Sequence, residues 1–344
     1  MNLYLDDWVE SGSDAGRGNL LGIQPYMLAA DYASEETFFE KIDGYLEAAS
    51  QKGWLNPCTV AVLPEYLGTW LVVLGEKAQA YQAKTVNQAM RSIVLSNLLP
   101  FIQELFSARD GNKVNASIFR IKAAQMAQAY QAAFSKLAAK YGVTIVGGSI
   151  LLPSPSIQEG VITPGQGALY NVSAVFRPDG QVHPALSIKS FPIATELPFV
   201  ASGSTGNLPV FETPAGKLGV LVCADSFYPQ AYEQMKSLKA DLIAVPSFSM
   251  GKGLWVQPWG GYSGSEAPAD VDSADASRLT EGEAWHKYAL LGRIASAGVK
   301  YGVNVFLHGE LWDLDAENSP SILVNDQAWV ESITTRAALL NLWL

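Results

Sequence analysis

Cysteine is scarce in this chain: Cys58 and Cys223 are the only two among 344 residues. Two thiols make no disulfide framework, and neither belongs to a Cys-x-x-Cys pair of the kind that holds a metal. Such sparing use suits a reducing compartment, so a cytoplasmic location is expected. Histidine is nearly as rare, with three copies, and no His/Asp cluster has metal-ligand spacing. There is no GxxxxGK[ST] phosphate loop and no strand-linked GxGxxG, so neither a metal nor an organic cofactor is expected. Positive charge is also short. The 23 Lys and Arg against 33 Asp and Glu leave a formal charge of −10, which repels phosphate backbones and anionic headgroups. Nucleic acid is therefore not an expected partner. No apolar run is long enough to span a bilayer, and the acidic opening MNLYLDDWVESGSDAG is unlike a signal peptide.

What is abundant is apolar residues, 49% of the chain, enough for a sizeable core in one large α/β domain or two average ones. TVAVLPE (59–65), VTIVGGSIL (143–151), KLGVLVCAD (217–225), DLIAVPS (241–247) and VNVFLHG (303–309) read as short buried strands bounded by turn residues. Helical patterns alternate with them. One follows a Ser34 cap, and a long Ala-rich one over 118–142 closes on Gly142. That alternation predicts an α/β fold. LYNVSAVFRPDGQVHPALSIKSF (169–191) breaks the rhythm with two extended runs around Pro178-Asp179-Gly180, a hairpin signal that makes the sheet mixed. Residues 85–106 are apolar on more than one face and interrupted by Pro100, which should bend or end a helix. They fit a packed helical hairpin, a dimer contact or an apolar lid, with ordinary packing preferred. The Gly- and Pro-rich stretch 249–278 carries Trp255 and Trp259, which suit either a surface excursion or a pocket wall.

Cys223, at the end of a dense apolar strand, is either a small buried hydrophobe or a nucleophile. A nucleophile needs a base, and none of His183, His286 and His308 lies in a thiol-protease signature. A carboxylate is then the candidate base. Glu65 directly follows an apolar strand, at the rim where α/β folds build their sites. Lys189 interrupts the apolar run ALSIKSFP, so it must reach solvent or meet an anion, and Glu196 lies seven residues on. Each feature alone is as well explained by a solvated strand end. Cys58 is expected to be a buried, unreactive strand residue.

Taken in order, Glu65 in LPE, YGVTIVGGS, YNVSAVFRPDG, Lys189 with Glu196, and GKLGVLVCADSFYP resemble the nitrilase, or carbon-nitrogen hydrolase, superfamily. The resemblance runs from about Gly22 to about Ala328. It implies a four-layer αββα sandwich of two mixed sheets, within a single domain spanning 1–344 and commonly paired as a homodimer or higher oligomer. It also implies that Glu65 is the general base, Lys189 the oxyanion-stabilising cation and Cys223 the nucleophile. Glu196 becomes a supporting carboxylate, and the Ala224 backbone N–H a second oxyanion donor. The helix following Cys223 would favour thiolate at its N-terminus.

Three departures bear on substrate. Cys223 is followed by Ala-Asp-Ser where true nitrilases carry Trp-Glu-Asn, so amides are expected rather than nitriles. Insertions at about 68–117 and 249–283 border the expected pocket, for which Tyr66, Phe227, Trp255 and Trp259 are the candidate lining. VNDQAW stands where relatives carry Asp-Pro-x-Gly. The expected activity is hydrolysis of a small carboxamide or N-carbamoyl compound through a thioester. The alternatives are N-acyl transfer to an amine by the same three residues, or an inactive binding scaffold of the same fold.

Overall fold

The computed structural model describes residues 2–316, 319–326 and 328–344; Gln327 of VNDQAW lies outside them. The apolar β-branched runs form two mixed sheets. In the first, the order across the sheet is Leu5–Ser11, Ala337–Trp343, Asn19–Gln24, Thr59–Val62, Thr144–Val146, Leu169–Phe176 and Val182–Ile188. Ile150–Pro153 also pairs with Leu169–Phe176. The second runs Val210–Thr213, Gly216–Val220, Leu242–Ser247, Tyr301–Phe306, Ile322–Asn325 and Ala328–Glu331.

Strand alternation distributes side chains to two separate cores. Along Thr59–Val62, Val60 and Val62 enter the layer between the sheets, where they share a cluster with Val220, Ala244 and Val303. Ala61 points the other way, into the cluster under the helices Glu35–Gln51 and Lys113–Tyr141. Residues such as Leu221, Ile243 and Val245 face outward from the second sheet against the helix Pro229–Ser237. The layers therefore stack as helix, sheet, sheet, helix. Each fully buried Val or Leu in the central layer contributes roughly 1.5–3 kcal/mol.

Local signals set the element ends. Ser34 caps the helix Glu35–Gln51 by accepting from the Thr37 N–H, and Gly142 ends Lys113–Tyr141 in the left-handed conformation, φ 64°. The predicted strand 143–151 is two strands, broken at Gly147-Gly148-Ser149. KLGVLVCAD leaves the sheet at Val220, three residues before the cysteine. Residues 85–106 form a helical hairpin, Val86–Ser96 and Leu98–Ser107. Its break falls at Asn97, and Pro100 sits in the first turn of the second helix, where a missing N–H costs no intrahelical bond. Ala89, Ile93 and Phe101 pack inward, while Leu95 and Phe106 are 76% and 88% exposed. Cys58 is also placed differently from expectation: it is half-buried in the turn before Thr59–Val62, not in the strand. Among the described residues no helix is long and apolar enough to cross a membrane.

Candidate active site

Glu65 is delivered by the turn that ends Thr59–Val62. Tyr66 adopts φ 61°, and its N–H donates to Ser149 Oγ at 2.8 Å, tying the turn to the break between the next two strands. Gly148 makes that contact feasible. Its φ is +70°, and a Cβ there would lie 2.1 Å from the Pro64 carbonyl oxygen. Lys189 follows directly on Val182–Ile188, and its N–H donates to the Asn171 carbonyl on the neighbouring strand at 2.9 Å. Cys223 opens a single 3₁₀ turn, Cys223–Phe227, with φ 51°. Strained backbone of this kind aims a side chain out of a strand end and must be held by its surroundings.

Asp225 does the holding. Its carboxylate accepts from the Ser190 and Phe191 N–H groups at 2.9 and 2.8 Å and from the Val222 N–H at 3.3 Å. The turn carrying Cys223 is thereby fastened to the segment carrying Lys189. Burial pushes the Asp225 carboxyl up to about 7, against the pull of these donors and of Lys189.

The three distant residues meet. Lys189 Nζ donates to Glu65 Oε1 at 2.8 Å and to Glu196 Oε2 at 2.7 Å. Glu65 and Lys189 are each 1% exposed, Glu196 4% and Cys223 8%. Asn171 Nδ2 donates to Glu65 Oε1 at 2.8 Å and to Glu196 Oε1 at 3.4 Å, and the Tyr66 hydroxyl donates to Glu196. The Ile193 N–H completes the shell on Glu196 at 2.8 Å. Neither Asn171 nor Asp225 stood out as a site residue in the sequence. The available signals were an amide inside the buried run LYNVSAVF and an acid two places beyond the cysteine, both equally consistent with structural roles.

Electrostatics follow from burial and pairing. Burial raises the Glu65 carboxyl, partly countered by Lys189. For Glu196 burial pulls the same way, but Lys189 outweighs it and the carboxyl lies below the ordinary range. Burial alone would depress the Lys189 ammonium, yet its two carboxylates hold it well above the usual lysine value. Burial, and then the Glu65 charge, push the Cys223 thiol well up. The expectation of a thiolate favoured by a following helix finds no support: the helix starts only at Pro229, and burial and the Glu65 charge push the thiol up rather than down. Cys223 Sγ lies 3.7 Å from the Phe248 carbonyl oxygen. The Ala224 N–H has no intramolecular acceptor among the described residues.

Cys223 and Ala224 sit in the wall of a cavity of about 750 Å³, with Tyr66, Phe227 and Trp259 also lining it. Trp255 does not line it; it stacks behind Trp285, ring centroids 6.4 Å apart. The stretches that depart from the family pattern build much of the cavity: Trp70, Val86 and Met90 come from one, Met250, Trp259 and Glu281 from the other. None of the three histidines lines it. His286 pairs with Glu331 at 3.2 Å, and His308 is buried against the Ser319 and Thr335 carbonyls. Among the described residues no group of three or more His, Cys, Asp or Glu could hold a metal ion.

With this geometry in view, the family model for carbon-nitrogen hydrolases matches residues 21–263, and the chain belongs to that family. Its fold is that of nitrilase-superfamily amidases. It is similar to a mutant of the amidase from Nesterenkonia sp. AN1 carrying the acetamide moiety of fluoroacetamide on its active-site cysteine. That likeness has TM-score 0.57 and 14% identity, and covers 97% of this chain and 93% of that one. A carbon-nitrogen hydrolase from Helicobacter pylori is likewise similar, with TM-score 0.56, 17% identity, and 94% and 88% coverage. In sequence, the chain is 25% identical over 146 residues to the probable hydrolase YhcX of Bacillus subtilis. That match spans 42% of this chain and about a quarter, 26%, of the curated relative.

Proposed function

We propose that this protein hydrolyses the C–N bond of a carboxamide through a thioester on Cys223. The reading is carried by one observation: a buried Glu65–Lys189–Glu196 network sharing the wall of a cavity with the Cys223 thiol. Glu65 takes the Sγ proton as sulfur attacks the carbonyl carbon, so no free thiolate has to accumulate. The C=O electron pair moves to oxygen, which faces the Lys189 ammonium and the Ala224 N–H. Two carboxylates and one ammonium hold a net charge of −1 beforehand. Afterwards Glu65 is neutral and the oxyanion carries the displaced charge, so the buried site never changes its total. Collapse breaks the C–N bond, and Glu65 returns the proton to the departing nitrogen. Water, deprotonated by Glu65, then attacks the thioester, releasing the acid and restoring the thiol.

Asn171 and Glu196 act here as positioning residues, since both hydrogen-bond the groups assigned to catalysis. Cys223→Ala is expected to lower kcat by roughly 10³-fold or more on every amide that is turned over. Intact-mass analysis of the chain with Cys223 intact should show an acyl adduct that the variant lacks; hydrolysis persisting in the variant would overturn the mechanism. Because Cys58 is partly exposed, the labelling is run in a Cys58→Ser background.

A further inference from the structure

The cavity is much larger than a primary amide requires, and its walls are unequal. Apart from the Glu65, Lys189 and Glu196 network, Glu281 is the only Asp, Glu, Lys, Arg or His in its lining among the described residues. Lys189 is already shared between two carboxylates, so no cation is left to receive an anionic substituent. Glu281 begins the helix Glu281–Tyr288, but it is not that helix's cap: Thr280 and Glu283 form the capping box between them. Its carboxylate accepts only the Trp285 Nε1–H, at 3.2 Å, and no cationic side chain pairs with it among the described residues. Arg293, the guanidinium behind this wall, is held by Asp270 at 2.7 Å and does not line the cavity.

Around Glu281 the wall is aromatic. Trp285 meets Phe227 edge-on at 4.7 Å, Phe227 meets Tyr262 at 5.9 Å, and Tyr262 meets Trp259 at 5.6 Å. Trp255 backs Trp285 and lies over Gly282, where a Cβ would come within 2.5 Å of its indole nitrogen. The backing keeps Trp285, and with it the Glu281 carboxylate, in place. A half-buried carboxylate with no cationic partner among the described residues, bordered by aromatic rings, is a site for a desolvated ammonium group. Phe227 belongs to the same turn as Cys223, so this wall is continuous with the nucleophile.

Resting on the amidase reading above, we infer that the substrate is an amide bearing a cationic amine away from the scissile bond, received by Glu281 and the Trp259, Tyr262 and Trp285 rings. Substrates carrying a free carboxylate, N-carbamoyl amino acids among them, are disfavoured by the same wall.

The test separates binding from turnover. Matched amides ending in an ammonium, a methyl or a carboxylate are titrated calorimetrically into full-length Cys223→Ala protein and assayed with the unmodified enzyme. The ammonium amide should bind about tenfold tighter than its methyl counterpart, with the carboxylate weakest. Glu281→Gln, which keeps an acceptor for Trp285, should collapse that ratio toward one, and Glu281→Lys should invert the order of charged ligands. Equal binding of the three amides, or a ratio unmoved by Glu281→Gln, overturns the inference. Preferential ammonium binding lost in Glu281→Gln, without turnover of any amide, keeps the Glu281 wall as a cation site but overturns the hydrolase reading, and with it the assignment of the bound amide as substrate.

Discussion

Glu65 shows how a single residue's environment dictates what can be measured. Burial lifts its carboxyl above the ordinary glutamate value of 4.5, and the Glu196 charge adds to the lift. As the proposed base, Glu65 must be ionised to accept the thiol proton, so activity is expected above the raised value and lost as pH falls through it. The acid limb of kcat/KM is therefore expected above pH 4.5. Glu196→Gln removes one negative neighbour and leaves Lys189 to Glu65 alone, so the limb should move to lower pH while kcat falls. A limb that stays put would show that another group titrates. At this scale much was legible in the sequence, because a charge in an apolar run must be solvated or paired, and Glu65 and Lys189 both sit at such interruptions. Asn171 was not legible, since an amide inside a buried strand looks the same whether it meets a carboxylate or a backbone carbonyl. Nor was the state of the Cys223 thiol, which depends on burial and on groups far away in the chain.

At the scale of elements, the turns decide whether the site assembles. The strands Thr144–Val146 and Ile150–Pro153 are separated by the glycine-bearing break that receives the Leu63-Pro64-Glu65 turn. Gly148→Ala would place a Cβ in the left-handed region against the Pro64 carbonyl. A loss of more than about 2 kcal/mol in urea unfolding is expected, together with reduced turnover as Glu65 is displaced. Unchanged stability would mean that the turn yields without cost. Sequence patterning marked this region as one strand, because VTIV and SIL are both β-branched and apolar, while the reason for Gly148 lies in another strand's turn and that for Gly147 in Tyr130 and Phe134 of the helix Lys113–Tyr141. The helical hairpin is a similar case. Its helical period was readable and Pro100 drew attention, but the break came at Asn97, because proline is tolerated in a first turn.

Across the whole molecule, the chain closes on itself. Leu5–Ser11 pairs in parallel with Ala337–Trp343, covering the edge of a strand that is buried along its length. Deleting residues 2–11 should lower the melting temperature and increase light scattering, since it uncovers the edge of a largely apolar strand; unchanged melting and scattering would argue against that role. Pairing of the two chain ends is not a local signal, and neither strand was foreseen. The sequence by itself determined the alternation of strands and helices and the residue types available for chemistry, while the αββα class was what the family resemblance implied. These depend on local periodicity and on motifs a few residues long. Only the tertiary structure decided which of those residues meet in one buried network, that Trp259 lines the cavity while Trp255 backs its wall, and that the Glu281 carboxylate has no cationic partner among the described residues. Each of those outcomes depends on distances between groups tens to hundreds of residues apart, set by how the two sheets and their long loops pack.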